Sequence, residues 1–345
     1  MIKHIRFPKI SDFKSVVKNI NLASSYVGRD ELNNPIYDPN KPKAVVTFKG
    51  TVKLHGTNSG VSYNKESGLW YQSHESIITV TNDNYGFAFF AESNKKSFMN
   101  IINQIYIDNN ISDDYTVTVY GEYVGKGIQK GVAISELDKS FFLFGIKISK
   151  PEDIDFKSYW VDCEKYSDEE HKIYNVNKFK TFSIDIDFNK AEQYVNQLID
   201  ITNEVEKECP IAKEFGISGV GEGVVWVGKY GDSVYKFKVK GEKHSNCKVK
   251  KLVSLDMVKL KSIDDFIEYA VTDNRILQGI DRVSRGSPLD KKMIGDVIRW
   301  VLNDVITEEG ESLIENGLEP NDVNKSVSIK VRNKFFEIYN ENVYN

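Results

Sequence analysis

Lys53-Leu54-His55-Gly56-Thr57-Asn58 comes just after Ala44-Val45-Val46-Thr47-Phe48-Lys49-Gly50, with Thr51-Val52 between, a run of β-branched and aromatic residues that reads as a strand. A lysine at a strand end, beside a glycine turn, can be held in a partly buried pocket. Burial and nearby cations then lower its pKa and expose a neutral, nucleophilic amine. Taken alone, the hexamer reads more simply as a surface lysine before a turn. What lies further along the chain decides between the two.

Three later segments carry chemistry of a matching kind. Val119-Tyr120-Gly121-Glu122-Tyr123 places a carboxylate after a β run, followed by the glycine-rich Val124-Gly125-Lys126-Gly127. Such a glutamate can accept a ribose hydroxyl or bind a hard cation. The glycines match neither GxGxxG nor GxxxxGK[ST]. Glu222-Gly223-Val224-Val225 brings a carboxylate into an apolar strand flanked by Gly219, Gly221 and Gly223. A carboxylate there is costly unless paired or bound to metal. Finally, Val234 to Lys240 alternates with period two: Lys236, Lys238 and Lys240 share one face, Tyr235, Phe237 and Val239 the other. The lysine-rich stretch runs on to Lys251, with Glu242 the one acid. It reads either as a solvated strand face or as fixed cations for polyphosphate and a nucleic-acid backbone.

Around these segments the chain divides in two. Strand signals dominate from Ala44 to Ile148, at Ala44–Phe48, Gly60–Tyr63, Leu69–Gln72, Thr116–Tyr120 and Phe141–Ile148, interrupted by a helix at about Gly86–Ile107. A second helix is expected at 189–207, and strands at Gly223–Val227 and Val234–Lys240. Residues 151–185 alternate polar and aromatic stretches without a resolvable pattern. After about residue 251 the period becomes helical: Met293, Ile294, Val297, Ile298, Val301, Leu302, Val305 and Ile306 lie on one face. Ser287-Pro288-Leu289-Asp290 reads as that helix's start, with Ser287 as N-cap, and Ser262-Ile263-Asp264-Asp265 as another. The expected organisation is an N-terminal extension at 1–42 packing on the next domain, a strand-rich domain at 43–250 and an all-helical domain at 251–345. Within the extension, Lys14–Ile20 reads as a short helix and Val27–Pro42 as a loop.

Composition narrows the classes. The chain has 345 residues, 40% hydrophobic and 28% charged, a length that suggests two or three domains and a balance against wholesale disorder. Its net charge of -4 excludes a uniformly basic nucleic-acid binder but leaves room for a local basic surface. No apolar run is long enough to span a membrane. MIKHIRFPKISDFKSVVKN is too often interrupted by charge for a secretory signal. The three cysteines, Cys163, Cys209 and Cys247, are widely spaced, form no CxxC pair and suit a reducing, cytoplasmic location. The tryptophans read as core. His4, His171 and His244 read as ordinary polar residues.

In order along the chain, the four segments resemble motifs I, III, IV and V of the covalent nucleotidyltransferases: ATP-dependent RNA and DNA ligases and mRNA-capping guanylyltransferases. KLHGTN is similar to the KxHGxN of the RNA ligase 2 family rather than the KxDG of DNA ligases and capping enzymes. GEYVGKGIQ (121–129), FFLF (141–144) and the C-terminal RWVLNDVITEE also resemble that family, and the resemblance spans roughly 43–340. It implies an α+β fold: a covalent nucleotidyltransferase domain of antiparallel sheets with flanking helices, plus an all-α C-terminal domain. It implies that Lys53 attacks the α-phosphorus of ATP and carries AMP as a phosphoramidate. His55 and Asn58 would organise phosphate and metal, Glu122 would contact the ribose, and Phe144 would stack on adenine. Glu222, with Asn58, would bind Mg²⁺ or Mn²⁺. Lys238 and Lys240 would hold the α-phosphate. Two positions depart from the family. Val52 stands where an acid often precedes the nucleophile, so backbone groups would read adenine. His74 stands where an arginine follows the second strand.

The expected activity is ATP-dependent RNA ligation through lysyl-AMP, joining 3′-OH and 5′-phosphate RNA ends, in nicked duplex RNA or an RNA–DNA hybrid, by a monomer. A DNA ligase or capping enzyme is the rival within enzymes. KLHG, and the absence of OB-fold-like strands after residue 250, weigh against it. An end-binding protein without catalysis is the rival of another class. The 251–345 segment carries more acids than bases, so it is no basic clamp.

Overall fold

A computed structural model describes residues 2–150, 153, 155–241, 263–285, 287–315 and 317–344. The chain forms two compact units, Met1–Asn189 with Leu198–Val239, and Lys190–Gln197 with Lys240–Asn345. The architecture is α+β, with antiparallel sheets and flanking helices in the first unit and helices alone after residue 262.

The first unit opens with α1 (Phe13–Ser25) and a hairpin of β1 (Tyr26–Arg29) and β2 (Pro35–Tyr37). The helix starts one residue before Lys14, where Asp12 caps it by accepting from the Ser15 N–H at 2.6 Å, and it continues past Ile20 to Ser25. The stretch read as a loop, Val27–Pro42, contains the hairpin. Its turn is set by the Asp30 side chain, which accepts from Leu32 and Asn34 N–H.

The larger sheet has seven strands: β4 (Thr57–Asn64), β5 (Gly68–Ser73), β6 (Ile77–Ile78), β7 (Thr116–Val124), β8 (Ser140–Ser149), β9 (Tyr159–Val161) and β10 (Ile173–Asn175). Their order is β10-β8-β7-β4-β5-β6, with β9 pairing β8. One face packs on α2 (Phe87–Ser93) and α3 (Lys95–Asn109). Val61, Val117, Val119, Tyr123, Phe141 and Leu143 meet Phe87, Phe98, Ile102 and Ile105 there. The helix expected to be continuous breaks at Asn94. Strands β9 and β10 follow from pairing with β8 of this sheet, which the local sequence does not encode.

The smaller sheet runs β11-β3-β12-β13, from β3 (Val45–Lys53), β11 (Thr181–Asp187), β12 (Gly223–Tyr230) and β13 (Ser233–Lys240). In its core Trp226 stacks on Phe237 and Phe48 meets Phe237 edge-on, and Phe13 of α1 closes on Phe237 at 5.0 Å. Between β11 and β12 lie α4 (Val195–Lys207), entered through a 3₁₀ turn at Ala191–Tyr194, and α5 (Pro210–Glu214).

Residues 3–11 strap these two sheets. Ile5 exchanges two hydrogen bonds with the Gln72 side chain and accepts from Tyr120 Oη, while Trp70 Nε1 donates to Lys3 O. Ser11 bridges to Phe237 and accepts from Lys238 N–H at 3.2 Å. Phe7 packs in T-shaped contact with Tyr120, Phe144 and Trp160, at 5.2, 5.1 and 5.4 Å. Each such pair contributes about 0.5–1.5 kcal/mol beyond its area.

The helical unit contains α6 (Ile263–Ala270), α7 (Asp273–Ser284), α8 (Ile294–Glu315) and α9 (Pro320–Tyr344). Its core gathers Phe266, Ile276, Val297, Val301, Val305, Val327, Val331 and Phe335. Ser287 is not the cap of α8. Its N–H closes the end of α7 on Ser284 O, and Asp290 instead caps a 3₁₀ turn at Lys291–Met293 that runs into α8. Ser262, read as another helix start, lies outside the described residues. Among the described residues no helix is long and apolar enough to cross a membrane.

Candidate active site

Register brings the distant motifs together. β12 pairs antiparallel with β3, with Gly223 opposite Lys53 and Val224 opposite Val52. Glu222, one residue earlier, therefore lands at the strand end beside Lys53. Lys53 Nζ lies 2.6 Å from Glu222 Oε2, and His55 Nδ1 lies 3.3 Å from the same oxygen. Glu222 is 1% exposed and Lys53 19%. A carboxylate this deep is held there by the Lys53 ammonium.

The loop after β3 returns into β4, whose Asn58 is the cross-strand partner of Glu122 on β7. Glu122 Oε1 accepts from the Gly56 N–H at 3.0 Å. Burial raises the Glu122 pKa. Lys53, the Gly56 N–H and His55 oppose that rise, and Glu222 adds to it. Lys53, His55, Glu122 and Glu222 thus form one electrostatic cluster. Val52 supplies no side chain to it: it is buried in the core of the smaller sheet.

Gly56 is fitted tightly. Besides donating to Glu122, its carbonyl accepts from Gln129 Nε2 at 3.3 Å. A Cβ on Gly56 would collide with the Tyr123 carbonyl oxygen and come within 2.7 Å of Val124 Cγ1. We expect Gly56→Ala to displace the loop carrying His55 and to lower turnover of the site at least about tenfold, the cost of a misplacement of about 1 Å or less. Kinetics matching the unsubstituted chain would show that the loop tolerates the shift. Local sequence does not mark Gln129 as a site residue. Its role depends on the loop following β7 folding back over Gly56.

Phe144 sits at a β-bulge. Tyr120 pairs with Gly145 and Gly121 with Leu143, which leaves Phe144 as the extra residue of β8. Its ring meets Phe7. The three alternating lysines of β13 are not equivalent. Lys236 Nζ lies 3.9 Å from the Trp160 ring centroid and 4.7 Å from that of Phe7, and burial pulls its pKa down to about 8. It belongs to an aromatic cage. Lys238 and Lys240 continue the same face of β13. The lysine-rich stretch beyond Gly241 lies outside the described residues. His74 is half-buried and pairs with Glu75 at 2.6 Å, and Arg6 also grips Glu75 through two 3.1 Å contacts. A guanidinium therefore stands beside His74, supplied by the N-terminal strap.

Among the described residues no three His, Cys, Asp or Glu side chains gather as a metal cage. The buried carboxylate of Glu222 and the half-buried one of Glu122 suit a Mg²⁺-type ion, which keeps waters and takes its other ligands from phosphates.

With fold and site in view, the comparisons with known proteins define the class. The family model for RNA ligase matches residues 46–240, more than half of the chain. The chain belongs to the RNA ligase family. Among solved structures it is similar to the Naegleria gruberi RNA ligase. With a lysine-to-methionine variant bound to AMP and Mn the identity is 16% and the TM-score 0.41. With the form bound to PPi they are 17% and 0.41. An arginine-to-alanine variant with ATP and Mn gives 16% and 0.42. Each match covers 69% of this chain and 56% of the other, so the likeness spans little more than half of those proteins. No curated protein sequence matches the chain.

Proposed function

We propose that the protein is an ATP-dependent RNA ligase that works through a lysyl-AMP intermediate and seals 3′-OH to 5′-phosphate RNA ends in nicked duplexes. The observation that carries this reading is the Lys53–Glu222 pair at the paired ends of β3 and β12, 2.6 Å apart, with His55 and Glu122 around it.

In the first step Lys53 Nζ attacks the α-phosphorus of ATP. An N–P bond forms, the bond to the bridging oxygen breaks, and pyrophosphate leaves. Lys53 must first lose its ammonium proton to water, and Glu222 Oε2, in hydrogen-bond contact with Nζ, orients the amine. Glu122 offers an acceptor to the ribose, and Phe144 a face to adenine. Lys238 and Lys240 place positive charge where the leaving oxygens develop negative charge. A divalent cation on Glu222, with Asn58 close by, would supply the remaining countercharge. AMP then passes to the RNA 5′-phosphate. Attack by the 3′-hydroxyl forms the phosphodiester and releases AMP.

The test is incubation with α-labelled ATP or GTP and Mg²⁺, followed by nicked RNA, RNA–DNA hybrid, DNA and single-stranded RNA ends. Label from ATP, transferred to nicked RNA and discharged on sealing, is the expected result. Label from GTP, or sealing of DNA alone, would move the protein to the capping or DNA-ligase class. Binding of nicked RNA with no covalent label would make it an end-binding protein.

A further inference from the structure

We propose that the N-terminal strap, residues 3–11, is part of the nucleotide site, with Phe7 as the positioning residue that holds the Phe144 ring ready to stack on a purine base. The inference rests on the ligase reading above, in which Phe144 meets adenine.

Phe144 is poorly determined by its own strand. As the extra residue of a bulge it lies outside the regular ladder, so the pleat does not set its direction. It is half-buried, and the aromatic ring that meets it among the described residues is Phe7, at 5.1 Å and 70°. Phe7 is itself held from three further sides, by Tyr120, by Trp160 and by the Lys236 ammonium. The strap carrying it is tied to the larger sheet through Ile5 and Lys3 and to the smaller sheet through Ser11. The last tie is to the backbone of Lys238, a residue assigned to the α-phosphate. One short segment thus fixes the ring for the base and the strand for the phosphate. Holding these groups before the nucleotide arrives removes an ordering cost from binding, so the effect belongs in ATP affinity and not in the chemical step.

The experiment measures the initial rate of Lys53 labelling against ATP concentration in the full chain. It compares the unsubstituted protein with Phe7→Leu, Phe7→Ala and, as a control in the opposite core, Tyr106→Phe. Phe7→Leu keeps apolar volume and loses the ring, so it remains informative if Phe7→Ala fails to fold. The half-saturating ATP concentration should rise roughly fivefold in Phe7→Leu. The maximal rate and the fraction of chains labelled should stay within about twofold. Half-saturation by pyrophosphate, which has no base, should not move when it discharges AMP from the loaded chain. Tyr106→Phe should titrate as the unsubstituted protein. An unchanged ATP titration in Phe7→Leu overturns the inference. So does a lower labelled fraction at unchanged half-saturation, the signature of a merely structural role. An unsubstituted chain that takes no label overturns the ligase reading, and this inference with it.

Discussion

Lys53→Ala is expected to leave no AMP on the chain: after incubation with α-labelled ATP and Mg²⁺, label on the denatured protein should fall to background. No other amine can replace it. The attacking nitrogen must lie in line with the bond that breaks, and the register of β3 with β12 delivers Lys53 Nζ to Glu222. The substitution should not unfold the protein. It removes the cation at 2.6 Å from Glu222 but leaves His55 at 3.3 Å, and Lys53 is partly open to water. The loss is then about 1–2 kcal/mol, below the full penalty for an orphaned buried charge. The melting temperature should drop by a few degrees, at about 2–4 °C per kcal/mol for a unit of this size. Label retained in Lys53→Ala would sink the nucleophile assignment. A collapsed melting curve would instead make the Lys53–Glu222 pair chiefly structural.

The largest stability effect should come from the helical unit. Arg275 is 1% exposed and sits inside α7 with Nε 2.8 Å from Asp304 and Nη2 3.1 Å from Glu309, and its third donor bonds the Ala270 carbonyl. Tyr269 Oη also bonds Glu309, at 3.0 Å. Arg275→Ala removes the guanidinium shared by the buried Glu309 and the half-buried Asp304, at a cost of about 3 kcal/mol. Arg275→Met with Asp304→Asn and Glu309→Gln should recover much of that loss, because no charge is then stranded. Thermal and urea unfolding of the full chain, followed by far-UV circular dichroism, measures both. Arg275→Ala melting with the unsubstituted protein would mean the cluster is solvated and near neutral in effect.

Chemistry that is local in sequence is legible in the residues themselves. Lys53 ends a strand because Val46, Phe48 and Val52 alternate into a core, and glycine follows because the Gly56 loop has no room for a Cβ. Glu122 and Glu222 stand out because a carboxylate in an apolar strand demands a partner. The helical face from Met293 to Ile306 reads true because a 3.6-residue period survives in any context, whereas the cap does not. Ser287 has the right chemistry for a cap, but its N–H is committed to α7, and Asp290 takes the role.

What the chain wrote by itself was the inventory: a candidate nucleophile, two carboxylates, an alternating lysine strand and a change of period near residue 251. These follow from residue type and spacing over a few positions. Tertiary structure alone decided who meets whom. Lys53 and Glu222 are 169 positions apart, and only the antiparallel register of β3 and β12, set by burying Phe48, Trp226 and Phe237 on one face, places them in contact. The same holds for the separation of Lys236 into an aromatic cage, for Arg6 beside His74, and for Phe7 against Phe144. Residues 3–11 carry no strong periodic signal, because an irregular segment is shaped by the surfaces it joins rather than by its own hydrogen-bonding repeat.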